Sequence, residues 1–205
     1  MSQVQVPQSK SKLATRWTKV KVATVVAIVV LSVVAAASLW FAWDYRGAKN
    51  RAQHTLIVDM TNSLSTVTIR IDSVLDDSNS IEMRSSEAWW GYQLLDRLQW
   101  NALAVGDMFT DSSSTKRIFN GLASAFDDLK MAVTQAQAQV AASGDVEESL
   151  NAGLEDSIGY LNLLYQELWD AMDKSFSWSD YPPSTVKYID LEYVEELAAE
   201  IRASV

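Results

Sequence analysis

No cysteine and only three prolines occur in this chain of 205 residues. Without cysteine, neither a disulfide nor a thiolate-bound zinc ion can hold the fold, so side-chain packing must hold it. No proline occurs between residues 8 and 181. Because proline interrupts the interior of helices and sheets, so long a stretch without it predicts that long helices make up most of the protein.

Histidine is almost as scarce, since His54 is the only one. Di-iron helical bundles bind their metals through Glu-x-x-His pairs, and the sequence contains no such pair. A Gly-x-Ser-x-Gly nucleophile motif is also missing. We interpret His54 as a solvated helix residue, and Asp127-Asp128 and Glu147-Glu148 as surface or capping charges. The sequence therefore assigns no catalytic, cofactor-binding or metal-binding residue, and we expect neither enzymatic activity nor a cofactor.

Charge is absent from residues 22–43, which also contain neither proline nor glycine. As a helix these 22 residues would extend roughly 33 Å, about the thickness of the hydrocarbon core of a bilayer. Residues 1–21 carry five basic side chains and no acidic one, and the positive-inside rule keeps such a tail in the cytoplasm. We therefore predict a basic cytoplasmic tail followed by a transmembrane signal-anchor helix.

Aromatic residues flank the apolar segment on both sides. Trp17 precedes it, and Trp40, Trp43 and Tyr45 gather at its other end. Amphipathic rings prefer the headgroup level of a bilayer, so we interpret these four residues as membrane-interface anchors. The expected location is the cell membrane, with the N-terminus in the cytoplasm and the rest of the chain outside it.

A cleaved signal peptide is the alternative interpretation of the same segment. Ala35-Ala36-Ala37 resembles a signal peptidase site behind a basic leader and an apolar core. Cleavage there would leave Leu39, Trp40 and Phe41 exposed near a new N-terminus. The continuation of the apolar run beyond the alanines therefore favours an uncleaved anchor.

Apolar residues beyond the anchor recur at steps of three and four, the period of one helix face. Four such stripes begin at Leu56, Ile81, Ile118 and Leu150, and turn residues separate them. Each segment has about 30 residues, roughly 45 Å as a helix. Equal lengths and short turns predict an all-α fold, in which residues 44–178 form an up-down antiparallel four-helix bundle.

Capping residues predict where these helices begin and end. Asn79 with Glu82, and Asp145 with Glu148, have the character and spacing of capping pairs at the starts of the second and fourth helices. Gly144 is suited to end the third helix, because glycine readily adopts the left-handed conformation that closes a helix.

Residues 179–205 have a different character. Pro182-Pro183 stops the fourth helix, and the chain then forms an acidic amphipathic helix capped by Asp190. A basic polar face would indicate lipid binding, but this face is acidic. We expect the helix to dock on protein, either on its own bundle or on a partner, through the apolar stripe of Leu191, Val194, Leu197 and Ile201.

An aromatic cluster on the second helix is the most unusual local feature. It comprises Trp89, Trp90, Tyr92, Asp96 and Trp100. Two indoles on one helix face beside a carboxylate would suit a cationic or amphipathic ligand. Large aromatic residues also fill bundle cores and protein interfaces, so the cluster is interpreted either as a ligand patch or as an interface.

The architecture of residues 22–176 resembles the sensor half of bacterial and archaeal chemoreceptors and sensor kinases, which places a helical bundle outside the membrane after one membrane helix. The resemblance implies a ligand-sensing ectodomain. Those receptors return through a second membrane helix to a cytoplasmic output domain. This chain instead continues through Pro182-Pro183 into the acidic helix, so a sensor of this kind would need a partner to pass on its signal.

Residues 44–205 contain 12 basic and 26 acidic residues, a net charge of −14. Such an acidic domain is repelled by nucleic acid, which we exclude as a partner. The expected function is that of a membrane-anchored accessory or structural subunit of a cell-envelope complex. The expected partners are the lipid bilayer, other envelope or membrane proteins, and further copies of the chain. The alternatives are a ligand-sensing bundle and a secreted bundle with a cleaved signal peptide.

Overall fold

The computed structural model describes residues 9–108, 112–175 and 184–205, with side chains from residue 27 onward, and all regular structure within those ranges is helical. The chain divides into two compact units, Met1–Arg46 and Gly47–Val205. The predicted all-α fold is confirmed: a long apolar N-terminal helix, a bundle of packed helices and a C-terminal helix. Pro182-Pro183 lies outside the described residues.

Five α-helices follow one another in the described ranges. They are α1 (Ser9–Leu75), α2 (Ile81–Met108), α3 (Ser113–Ser143), α4 (Glu148–Ser175) and α5 (Leu191–Ser204), with a short 3₁₀ helix at Thr185–Tyr188 before α5. Gly47 lies within α1 and does not end it. A single glycine costs a helix interior only about 1 kcal/mol, so a helix this long tolerates it.

The apolar segment of the first unit is exposed along its described length. Every side chain from residue 27 to residue 46 is exposed to solvent, and this part of α1 is long and apolar enough to span a membrane. Trp40, Trp43 and Tyr45 are among the exposed residues, and Trp40 contacts Phe41 edge to face at 5.2 Å between ring centroids. Trp17 lies within α1, but its side chain is outside the described set.

Side-chain contacts in the second unit establish the antiparallel order of the first three helices. Arg70 of α1 donates to Glu87 of α2 at 2.6 Å, and Arg97 further along α2 reaches back to Asp59 of α1. The α3 residue Gln137 donates to the carbonyl of Ser85 near the start of α2, at 2.9 Å. Lys116, at the start of α3, pairs with Asp107 at the end of α2. Contacting residue numbers therefore run in opposite directions.

The fourth helix returns toward the start of the second unit. Near the end of α4, Met172 accepts a hydrogen bond through its Sδ atom from Thr61 Oγ1, at 3.3 Å. The 3₁₀ helix that follows α4 also lies against α1, since Thr185 contacts His54. The up-down-up-down order expected from equal helix lengths is thus present within this unit.

The core is built from one apolar stripe of each helix, and the stripe of α2 includes two glycines. Its buried face contains Gly91 and Gly106 among alanines and leucines, whereas α3 inserts Phe119 and Phe126, both fully buried. A Cβ atom on Gly106 would come within 3.3 Å of Phe119 Cβ. Because α2 is small on this side, α3 can approach it closely.

Two of the predicted caps are confirmed. Gly144 adopts the left-handed conformation with φ 87° and donates its N–H to Val140 O. Asp190 Oδ1 accepts a hydrogen bond of 3.1 Å from the N–H of Tyr193 in the first turn of α5. Both caps depend on residues close in sequence, so the local pattern was sufficient to predict them.

The other two predicted caps are wrong in position. Ser80, not Asn79, accepts the N–H of Met83 at the start of α2, because Asn79 donates its side chain to Ser73 O in the last turn of α1. The α4 helix begins at Glu148, so Asp145 lies too far upstream to cap it.

Arg84 joins the ends of three helices. Its side chain is buried, and its Nε and Nη1 atoms each donate a hydrogen bond of 2.6 Å, to Val74 O and Gly144 O respectively. Asp77 forms an ion pair with it at 3.0 Å. Helix C-termini carry partial negative charge, so one guanidinium of α2 stabilises the ends of α1 and α3 together.

The predicted docking stripe of α5 is buried on α3 and α4 of the same chain. Val194, Leu197 and Ile201 belong to the core, and Leu191 packs against its edge. Of the two surfaces that the sequence left open, the bundle itself therefore receives this helix. At the end of α5, Ser204 Oγ lies 2.8 Å from Ser157 Oγ of α4.

The end of α5 lies close to the backbone of α4 at Gly153, where there is no side chain. This contact leads to a first prediction. A Cβ atom there would lie 2.1 Å from Ser204 O, whereas one on Gly159 would meet nothing within 4 Å. We expect Gly153→Ala to lower the melting temperature of the full chain by about 2–8 °C. Gly159→Ala should raise it by about 1–3 °C, because alanine favours the helix. Circular dichroism on the detergent-solubilised chain measures both, and an equal rise in the two variants would contradict the α4–α5 contact.

Candidate functional site

The outward face of α2 displays the aromatic cluster that the sequence singled out. Trp89, Trp90 and Trp100 are 49%, 49% and 66% exposed, an unusual degree of exposure for such large apolar rings in a folded bundle. Their position follows from the core, since the inward face of α2 is filled by small and medium side chains. The cluster is therefore a surface feature of the second unit.

The tryptophans do not form a closed cage. Trp89 contacts Trp90 edge to face, with ring centroids 4.6 Å apart. Trp89 and Trp100 share a face but lie eleven residues apart, or about 16 Å along the helix axis. A cation must lie within about 6 Å of a ring to gain from its quadrupole, so these two rings cannot serve one small cation together.

Tyr92 and Asp96 do come together, but around a lysine of the same chain. Lys130 of α3 donates to Asp96 Oδ1 at 3.1 Å and to Gln99 Oε1 at 2.8 Å. It also forms an ion pair with Asp127 at 3.0 Å, and its Nζ atom lies 5.5 Å from the centroid of the Tyr92 ring. The carboxylate proposed to attract a cationic ligand therefore already has an internal cation.

The environment of Lys130 favours its charged form. Burial lowers the pKa of Lys130, but the hydrogen bonds and charges of Asp127 and Asp96 outweigh this effect, and the net shift of the pKa is upward. Lys130 was not among the residues predicted to form the site. Its signal is that Lys130 follows Phe126 by four residues and so lies at the edge of the apolar stripe of α3.

A second polar network includes His54, which was interpreted from the sequence as a solvated helix residue and is half-buried in the structure. His54 Nδ1 lies 3.0 Å from Thr185 Oγ1, and Thr185 Oγ1 lies 3.2 Å from Ser175 Oγ. Ser184 donates to Gln53 Oε1 at 2.8 Å beside them. The 3₁₀ helix covers this part of α1, which a local pattern does not reveal. Thr185 is fully buried, so its contact with His54 holds the 3₁₀ helix against α1.

The acidic pairs have protein partners of their own. Asp127 binds Lys130, Asp128 pairs with Arg202 of α5 at 3.0 Å, and Glu147 accepts a hydrogen bond from Ser149. Within the described ranges, no group of three or more histidine, cysteine or acidic side chains is arranged to hold a metal ion.

An open groove of about 510 Å³ runs between α3 and the end of α5. Asp128 and Arg202 line it together with Met131, Gln135 and Val205. Since the two charged residues pair with each other, the groove presents a mixed surface without a set of convergent polar groups. The aromatic face of α2 thus remains the stronger candidate for an interaction site.

The Lys130 cluster gives a second prediction. The folded-state pKa lies above the unfolded value of about 10.4, so the cluster stabilises the fold below that pH and loses its effect as pH rises through the folded-state pKa. Asp96 and Asp127 are 40% and 50% exposed, so we expect Lys130→Met to lower the free energy of unfolding by only about 1 kcal/mol at pH 8. Urea titrations should show this difference shrinking as the pH rises above the unfolded value and through the folded-state pKa.

Lys116→Met is the matched control for that experiment. Lys116 and Asp107 have side chains 46% and 70% exposed, and solvent screens such a pair. Its loss should change the free energy of unfolding by less than about 0.5 kcal/mol. Equal losses in the two variants would show that burial adds nothing to the Lys130 cluster.

Comparisons with known proteins identify no family for this chain, so its own structure is the basis for proposing a function. No protein-family model, no curated protein and no solved structure matches it. Three features of the chain therefore bear on its function: the exposed apolar helix, the tryptophans on the outward face of α2, and the distribution of charge.

Proposed function

We propose that the protein is a single-pass membrane protein that displays an acidic helical bundle outside the cytoplasm and works by protein–protein contact, as an accessory or structural subunit of a cell-envelope complex. The observation that carries the proposal is the exposed apolar helix. Ile28, Leu31, Leu39 and Phe41 are all more than half exposed, and burying such a surface in a bilayer is strongly favourable.

Charge supports the proposed orientation. Five basic residues and no acidic one precede the apolar segment, whereas the remainder of the chain has a net charge of −14 from 12 basic and 26 acidic residues. Lysine and arginine near a span favour the cytoplasmic side. Trp40, Trp43 and Tyr45 would then lie at the outer interface, where amphipathic rings are common.

Protein contact is the function that the aromatic face supports best. Trp89, Trp90 and Trp100 are spread along a helix surface instead of lining a cage, and tryptophan is enriched in protein interfaces. Asp96 is already paired with Lys130, which weakens the case for a small cationic ligand. The α5 stripe is buried on its own bundle, so a partner would reach it only after the helix detached.

A third prediction concerns the anchor. We expect the tagged chain, made in a bacterial host, to stay with membranes after alkaline carbonate extraction and to keep its full mass, which is 22.8 kDa for the chain plus the mass of the tag. The physical reason is that the apolar helix partitions into the bilayer and is not removed. Fractionation followed by intact-mass spectrometry measures both properties.

Two substitutions at the alanines sharpen this test. Ala35→Leu with Ala37→Leu makes the apolar run more hydrophobic and removes the small residues that signal peptidase requires. The variant and the natural chain should behave alike if the segment is an anchor. A natural chain that begins at Ser38 and is found in the soluble fraction, beside a variant that remains in the membrane, would show that the segment is a signal peptide.

A further inference from the structure

We propose that the outward face of α2 is covered by a second copy of this chain, through a two-fold interface centred on Gln93 between Trp89 and Trp100. This inference rests on the proposed membrane anchor, which would hold the two copies on the same side of one bilayer. It specifies the partner that the aromatic face would meet.

The outward face of α2 lies opposite the stripe that enters the core. Trp89, Gln93 and Trp100 lie on this face at steps of four and seven residues, a spacing that keeps them on one side of the helix. Gln93 lies between the two tryptophans and is exposed, as they are. Between Trp89 and Trp100 the face is therefore open to a partner, apart from Asp96, which pairs with Lys130.

Charge selects a second copy as the occupant. The α2 and α3 helices together contain six acidic and five basic residues, whereas α4 and α5 contain ten acidic and only two basic residues. Two copies of an acidic protein repel each other. They can approach closely where the charges nearly balance, which in this bundle is the side that carries the tryptophans of α2.

The charged residues nearest the centre of the face are already neutralised within each copy. Asp96 pairs with Lys130 at 3.1 Å, and Arg97 donates to Asp59 at 2.7 Å. The side chains of Arg97 and Asp96 nevertheless remain 59% and 40% exposed. Opposing copies can therefore meet at the centre of this face without burying an unpaired charge, which would oppose association.

Rigidity and symmetry favour the same arrangement. The edge-to-face contact with Trp90 holds the Trp89 ring, so little side-chain freedom is lost when a partner covers it. In a two-fold interface the same patch is used by both copies, and a residue at the axis lies against its own counterpart. Gln93 lies between Trp89 and Trp100, so it is the residue expected at the two-fold axis.

The absence of cysteine in the chain allows a direct test. Gln93→Cys is expressed in the full-length chain and oxidised in native membranes with copper phenanthroline. We expect a disulfide-linked homodimer, identified by mass spectrometry as two copies of this chain. Gln166→Cys is the matched control, because Gln166 is exposed on the acidic α4, and it should not crosslink.

Removal of the tryptophans tests the contact itself. Trp89→Ser with Trp100→Ser, in the Gln93→Cys chain, should lower the rate of crosslinking about tenfold, because interface tryptophans carry much of the binding energy. Both rings are largely exposed, so the melting temperature should stay within about 2 °C of the parent. This separates loss of an interface from loss of the fold.

The possible results distinguish this inference from the proposed anchor. A Gln93→Cys chain that resists carbonate extraction but stays monomeric, crosslinks to a different protein, or crosslinks no faster than Gln166→Cys overturns the pairing and leaves the anchor standing. A chain released from the membrane overturns the anchor. Crosslinking of that released chain in solution then decides the pairing, since a dimer at Gln93 upholds it and a monomer rejects it.

Discussion

Burial of one apolar stripe from each helix holds the second unit together, and the rest of the structure depends on it. Since the chain has no cysteine, no disulfide can add to this packing. The stripe of α2 is unusually small, with Gly91 and Gly106 on its buried face. A Cβ atom at Gly91 would already be in van der Waals contact with Val133 and Arg70. A core this closely packed has no room for an indole, which explains why the tryptophans of α2 face outward.

The sequence was sufficient where the determining interactions are local. Periodic apolar residues predicted each helix, and Gly144 and Asp190 predicted two helix ends, because a left-handed glycine and a capping carboxylate act within one turn. Asn79 and Ser80 show where local reasoning fails. Both can cap α2, and the choice is made by the Ser73 carbonyl of the preceding helix, which takes the Asn79 side chain.

The polar interior could not be predicted, because its partners are distant in the chain. Arg84 binds a carbonyl 60 positions away, and His54 contacts a hydroxyl 131 positions away. A lysine at the edge of an apolar stripe, such as Lys130, could equally extend into solvent until α2 supplies Asp96 and Gln99. The surface that buries the α5 stripe could not be predicted either, because the sequence pattern of an apolar stripe is the same whether its own bundle or a partner covers it.

Uneven charge gives the two sides of the bundle different capacities for association. The α4 and α5 helices carry ten acidic and two basic residues, so that side resists approach by another copy and keeps the domain soluble. The α2 and α3 side is almost neutral and exposes Trp89, Trp90 and Trp100. If residues 22–43 anchor the chain as proposed, diffusion is confined to a plane, and the effective concentration of copies rises. An interface too small to hold two free molecules together can then be occupied, so a limited aromatic face is a sufficient contact for an anchored protein but a weak one for a secreted protein.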